Sequence, residues 1–285
     1  MCLLMFAWQT EPGYPLAVAA NRDERLDRPA HSMCVLRERH PRVLGGRDDM
    51  AGGTWLAVNE HGVVSGLTNR PSPGGRDPNK RSRGALPLIA VAQRSAPDAV
   101  AELCRRVQPG EYNPAWLLVG DRRSLYYVEL AIDRRPVVRE LEPGVHVLEN
   151  AALGDPSPKV DRIRALVEAK ALGPVRWAAL PSVLADHTVP DPHALKVYER
   201  ENIERRLASL ASCVHTDDYG TRSAALIRVP SEPDAMPDVM VADGPPCTAP
   251  FVDVSDYWEL GAQPGRPFDA GQGPETPDDL PATRG

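Results

Sequence analysis

The sequence predicts an α+β sandwich, with two antiparallel sheets and helices on their outer faces. Two observations carry this. Strand-like apolar runs come in blocks, interrupted by blocks of helical spacing, and strand and helix do not alternate one by one as a parallel sheet requires. Several of the strand runs are also joined by short turns of the kind that connect antiparallel neighbours.

From the N-terminus, "CLLMFAW" is a continuous apolar run, and "YPLAVAANRD" is a second one beyond the turn residues Pro12-Gly13. "TWLAV" and "VVSGLT" form a hairpin around Asn59-Glu60-His61-Gly62, where the glycine suits a positive φ. "GGRDDMAGG" lacks the Lys-Ser/Thr of a phosphate-binding loop and reads as turns. The polar stretch "RPSPGGRDPNKRSRG" is loop, and Ser82 is placed to cap the helical segment beyond it. That segment, "ALPLIAVAQRSAPDAVAELCRRV", has the apolar spacing of one long helix or two shorter ones. "AWLLVGDRRSLYYVEL" is a second hairpin turning at Gly120-Asp121, and "PVVREL" and "GVHVLEN" extend the strand series. A helical block is expected over "SPKVDRIRALVEAK", with Pro158 in the first turn, and over "WAALPSVLAD". "PDPHALKVYERENIERRLASL" reads equally as helix or loop. Strands resume with "SCVHT", "RSAALIRV" and "DVMVADG". Residues 261–285 are rich in Pro, Gly and Asp and nearly free of large apolar side chains, which predicts a disordered tail.

Composition narrows the function. The 285 residues, 42% hydrophobic and 25% charged, are those of an ordinary globular chain. A formal charge of −6 argues against a general nucleic-acid binder, since counterion release needs a basic surface. The five cysteines (Cys2, Cys34, Cys104, Cys213, Cys247) are odd in number and contain no C-x-x-C, against a disulfide framework or a structural zinc site. The seven histidines show no metal-ligand spacing, so no metal is expected. No stretch approaches the ~20 apolar residues of a membrane span, and the start has no basic segment of a secretory signal. A cytoplasmic protein with reduced thiols and no membrane span is the expectation.

Among nucleophiles, the chain offers no G-x-S-x-G elbow and no H-E-x-x-H. Cys2 stands out. Removal of Met1 would leave a thiol and a free α-amine on one carbon. An α-amine titrates near pH ~8, so it can take the thiol proton through a water, and no separate histidine base is needed. Such a site needs a carboxylate to orient the amine, donors for an oxyanion, and an arginine to hold charge.

The set "MCLLMF", "PLAVAANRDERLDRPA", "GGRDDMAGGTWLAVNEHG", "LTNRP", "SRG", "LENAALGDPSPKVDR" and "DDYGTRSAALI" resembles the NRDE family, whose name is written here as Asn21-Arg22-Asp23-Glu24. The resemblance runs from Cys2 to about Tyr257. It implies a single domain over residues 1–260 with the four-layer αββα sandwich of N-terminal-nucleophile (Ntn) hydrolases, similar to choloylglycine hydrolases and penicillin V acylases. It also implies roles: Cys2 as nucleophile, Asp23 on the α-amine with Asn21 beside it, Asn69 and Asn150 as oxyanion donors, and Arg222 beside the thiol. One departure stands in the motif itself. The arginine that precedes the early asparagine in those hydrolases is Ala20 here, and Arg22 lies two positions on.

Two functions are open at this point. One is an N-terminal cysteine amidohydrolase or acyl-transfer enzyme acting on a linear amide or acyl bond of a small anionic substrate, without cofactor. The other is a carrier on the same scaffold that binds haem or acyl-CoA, which the resemblance implies, although no motif here supports haem. The loop after Asn69 carries Arg76, Lys80, Arg81 and Arg83, cations suited to an anionic ligand group.

Overall fold

The computed structural model describes residues 2–72, 74–170, 177–189, 208–259 and 261. The sequence-predicted tail and most of "PDPHALKVYERENIERRLASL" lie outside the described residues.

β1 (Cys2–Glu11) turns at Gly13 into β2 (Tyr14–Arg25), and the two pair antiparallel. β1 reads as an unbroken apolar run because both its faces are covered. Leu4, Phe6 and Trp8 enter one core with Leu16, Val18 and Ala20, while Leu3, Met5 and Ala7 enter another with Ala17 and Ala19. The second sheet begins with β3 (Ala30–Arg37), β4 (Val43–Asp48), β5 (Leu56–Asn59) and β6 (Val64–Asn69). It continues, after a helical insertion, with β7 (Ala115–Gly120), β8 (Leu125–Leu130) and β9 (Val137–Glu140), in sequential order β3 to β9. β10 (Gly144–Leu148) returns to the other side of β1. β11 (Tyr219–Val229), β12 (Asp238–Ala242) and β13 (Val252–Asp253) complete the first sheet, ordered β10-β1-β2-β11-β12-β13.

The helical insertion is two helices, α1 (Ala85–Val91) and α2 (Ala96–Arg106). Leu86, Ile89, Ala99 and Leu103 pack on Leu67, Leu117, Val119 and Val128 of the second sheet. On the far side, α3 (Pro158–Lys170) and α4 (Leu180–Leu184), the latter preceded by a 3-10 turn at Trp177–Ala179, pack on the first sheet through Val160, Ile163, Leu180 and Val183. Helices, sheet, sheet, helices: this is the four-layer αββα sandwich, with the largest core between the sheets.

Three local expectations are corrected. Ser82 does not cap α1; Gly84 is its N-cap residue, and the Ser82 hydroxyl instead accepts from the Gly84 N–H at 3.3 Å. The side-chain cap belongs to Ser95, which accepts from the Asp98 N–H at the start of α2. Gly45 and Gly46 of "GGRDDMAGG" lie inside β4 rather than in a turn, because the Trp55 ring packs where a Gly46 side chain would stand. "SCVHT" is not a strand. Its backbone is held by other partners: Cys213 N–H donates to the Asp186 carbonyl at 2.9 Å, and Val214 N–H to the Thr221 hydroxyl at 2.9 Å.

Candidate active site

The four-residue motif on β2 is divided by strand alternation. Cys2 stands directly opposite Arg22 in the β1–β2 ladder, and Leu3 opposite Asn21, so opposed Cα atoms are about 5 Å apart. Cys2, Arg22 and Glu24 line a cleft of about 270 Å³, whereas Asn21 and Asp23 point to the α3–α4 side. Ala20 sits opposite Leu4, one step deeper on the Arg22 face. Arg22 therefore stands on the same face as Ala20, across from the thiol.

Arg22 is held tightly. It is 4% exposed, its guanidinium lies 4.4 Å over the Trp55 ring, and its Nη2 is 3.8 Å from an Asp48 oxygen that Arg28 Nε already engages at 2.7 Å. That distance is too long for a hydrogen bond, and Nη2 is buried without a hydrogen-bond partner. Burial lowers the Arg22 pKa, opposed by Cys2, Glu24 and Asp48. Burial pushes the Cys2 thiol up; the N-terminal amine and Arg22 pull it down, while Asp23 and Glu24 push it up. The net direction is upward, so the thiol needs a base to ionise it.

Asn21 is fully buried and donates through Nδ2 to the carbonyls of Leu184 at 2.9 Å and Ser212 at 2.8 Å. It ties the sheet to the helical layer, away from the cleft. Asp23 accepts from the Thr221 hydroxyl at 2.6 Å and pairs with Lys159 of α3 at 3.5 Å, both groups being buried. The Asp23 charge still counts among those that push the Cys2 thiol up.

Arg222 is not brought to the thiol. A bulge between Thr221 and Ser223 leaves it as the extra residue of β11, and its guanidinium donates to the Leu26 carbonyl. It does not line the cleft; the neighbouring cation is Arg22. Asn69, at the end of β6, does line it. Asn150 lies in the bend just beyond the end of β10 and is not a lining residue. Its Oδ1 is buried without a hydrogen bond.

Of the loop cations, Arg76, Arg81 and Arg83 border the cleft. Arg83 donates to the Pro114 carbonyl at 3.2 Å, and burial, then Arg76, lowers its pKa. Arg81 pairs with Glu111 and lies 5.2 Å over the Tyr112 ring. Lys80 turns outward, donating to the Gly110 carbonyl at 2.9 Å. The cleft also takes Glu24, Arg28, Asp48, Trp55 and Asn113, which sequence reasoning missed. For Glu24 a signal was there, since alternation along β2 sets it on the same face as Arg22. Asp48, Trp55 and Asn113 come from other strands and loops, and no local pattern announced them.

The expectation of scattered histidines is also corrected. His187, Cys213, His215 and Cys247 converge with their ligand atoms within 4.8 Å of one another. No helix among the described residues is long and apolar enough to cross a membrane.

Residues 1–236 match the family described as Transport and Golgi organisation 2. The Transport and Golgi organization protein 2 homolog of Bos taurus is 32% identical over 254 residues, covering 81% of this chain and 90% of the bovine one. The Mus musculus homolog is 30% identical over 252 residues, covering 80% and 88%. Among solved structures, the Caenorhabditis elegans N-acylethanolamine-hydrolyzing acid amidase ortholog superposes with a TM-score of 0.52 at 13% identity, covering 82% of this chain and 94% of its own. That likeness establishes a shared αββα fold. With its naming tetrad on β2 and a family match that runs through both sheets, the chain belongs to the Transport and Golgi organisation 2 family.

Proposed function

We propose that the chain, once Met1 is removed, is an N-terminal cysteine amidohydrolase acting on a linear amide or acyl bond of a small anionic substrate. The observation that carries this reading is the buried Arg22 guanidinium opposite Cys2, both residues lining one cleft, with Nη2 making no hydrogen bond.

The chemistry is self-contained. The α-amine of Cys2 takes the thiol proton, directly or through a water, and the thiolate attacks the substrate carbonyl carbon. Arg22 offsets the charge that develops there. Asn69 and Asn150 donate to the oxyanion. The protonated α-amine, oriented by Asp23, passes its proton to the leaving nitrogen as the C–N bond breaks, leaving a thioester on Cys2. A water, deprotonated by the same amine, attacks the thioester and releases the acid. Arg76, Arg81 and Arg83 at the mouth engage an anionic group of the substrate.

The test is amine release from a panel of N-acyl amino acids, with intact mass establishing that the active chain starts at Cys2. Activity absent from Cys2→Ala and lowered roughly 10- to 100-fold in Arg22→Leu is expected, the worth of a hydrogen bond to a charged group. Activity in chains that keep Met1 overturns the mechanism. Reversible binding of haem or acyl-CoA that survives Cys2→Ala, with no turnover of any substrate, identifies a carrier instead.

A further inference from the structure

We propose that His187, Cys213, His215 and Cys247 form a structural zinc site. The four residues come from three separate segments: His187 just beyond α4, Cys213 and His215 in the loop that leads into β11, and Cys247 in the turn after β12. Their convergence is independent of the Cys2 chemistry, since they stand on the helix side of the first sheet, behind the Asn21 and Asp23 face of β2.

The distances among Cys213, His215 and Cys247 fit a tetrahedral ion. Zinc bonds sulfur at about 2.3 Å and imidazole nitrogen at about 2.0–2.1 Å, so a tetrahedron sets two sulfurs about 3.8 Å apart and sulfur about 3.6 Å from nitrogen. Here the two sulfurs are 3.7 Å apart, and each lies 3.4 Å from His215 Nε2. The exposed His187 ring lies 5.0 Å from that of His215, centroid to centroid, and all four ligand atoms lie within 4.8 Å, so a small turn of the His187 side chain toward the ion supplies the fourth ligand. The sulfurs are well beyond the roughly 2.05 Å of a disulfide. Two thiolates and two imidazoles are the donors that zinc takes in closed structural sites, and no open position remains for substrate. On binding, each thiol releases its proton to solvent and gains a sulfur–zinc bond. Two thiolates balance the charge of the ion.

The loop is held in place for this role by groups outside the ligand set. Cys213 N–H donates to Asp186, the residue before His187, and Asn21 fastens both Leu184 and Ser212. Ligand supports of this kind fix the orientation of a metal site. A bound ion would pin α4, the β11 approach and the turn after β12 to the Asn21–Asp23 stretch of β2.

The experiment is metal analysis of the full chain, untagged and purified under reductant, followed by zinc and cobalt titration of chelator-stripped protein. One zinc per chain is expected, with a thiolate-to-cobalt charge-transfer band in the cobalt form. His187→Gln, at an exposed position, and Cys247→Ser should each weaken zinc binding by about 100-fold, while Cys2→Ala and Cys34→Ala leave it unchanged. Sub-stoichiometric zinc with no cobalt band, unchanged affinity in both ligand variants, or a Cys213–Cys247 disulfide in the reductant-purified chain would each overturn the site.

Discussion

Asn21 and Arg22 are adjacent in the chain and serve opposite sides of one sheet, so their substitutions separate stability from chemistry. Asn21→Ala removes the donor from two buried carbonyls. It should cost about 2–3 kcal/mol in urea unfolding, with little change in kcat/KM. Arg22→Leu should do the reverse, keeping an apolar contact with Trp55 while catalysis falls. A large loss of activity in Asn21→Ala, with stability intact, would contradict this division. At this scale the sequence was legible wherever strand alternation holds: Cys2 and Arg22 share a face because β1 and β2 pair without interruption there. The resemblance put Arg222 beside the thiol, but a bulge shifts the register by one residue and turns the guanidinium to Leu26. One extra residue in a strand leaves no mark that periodicity detects.

Among the elements, the loop between β6 and α1 decides which cations reach the cleft. Gly53 and Gly84 touch backbone to backbone, so that a side chain on either would collide with the other, and this contact seats residues 81–84 against the cleft wall. Arg76→Gln and Arg81→Gln should therefore weaken binding of an anionic ligand and flatten its dependence on salt. Lys80→Gln, whose ammonium faces Gly110, should change neither. Isothermal titration at low and high salt measures both effects, and a Lys80→Gln effect equal to that of Arg81→Gln would refute the placement. The strands and hairpins were legible because both sheets are covered on both faces, which writes long apolar runs into the chain. The Cys213–Thr216 stretch was misread for the same reason. It is short and apolar enough to suggest a strand, yet its partners are Asp186 and Thr221, not a ladder. The metal ligands were invisible for a different reason: only Cys213 and His215 are close in sequence, and Cys247 lies 34 residues beyond Cys213.

Across the whole molecule, the four layers place chemistry and support back to back. Lys159 and Asp23 form an ion pair between α3 and β2, with side chains only 2% and 0% exposed. Lys159→Met would leave the Asp23 charge buried without its cation, so chemical denaturation should show a loss of about 3–5 kcal/mol. A neutral result would mean that the other partners of Asp23, Thr221 and the α-amine among them, satisfy it without Lys159. This support was not legible in the sequence, because a lysine inside a helix and an aspartate inside a strand have no sequence relation to each other. The central claim concerns the opposite side of that sheet: Cys2 of the processed chain carries the acyl group. Intact mass of the protein, quenched during turnover of an N-acyl amino acid, tests it most directly. The claim predicts a mass increase equal to the acyl group, mapped to Cys2, and absent from Cys2→Ala. Turnover with no adduct on Cys2, or an adduct that persists in Cys2→Ala, would contradict it.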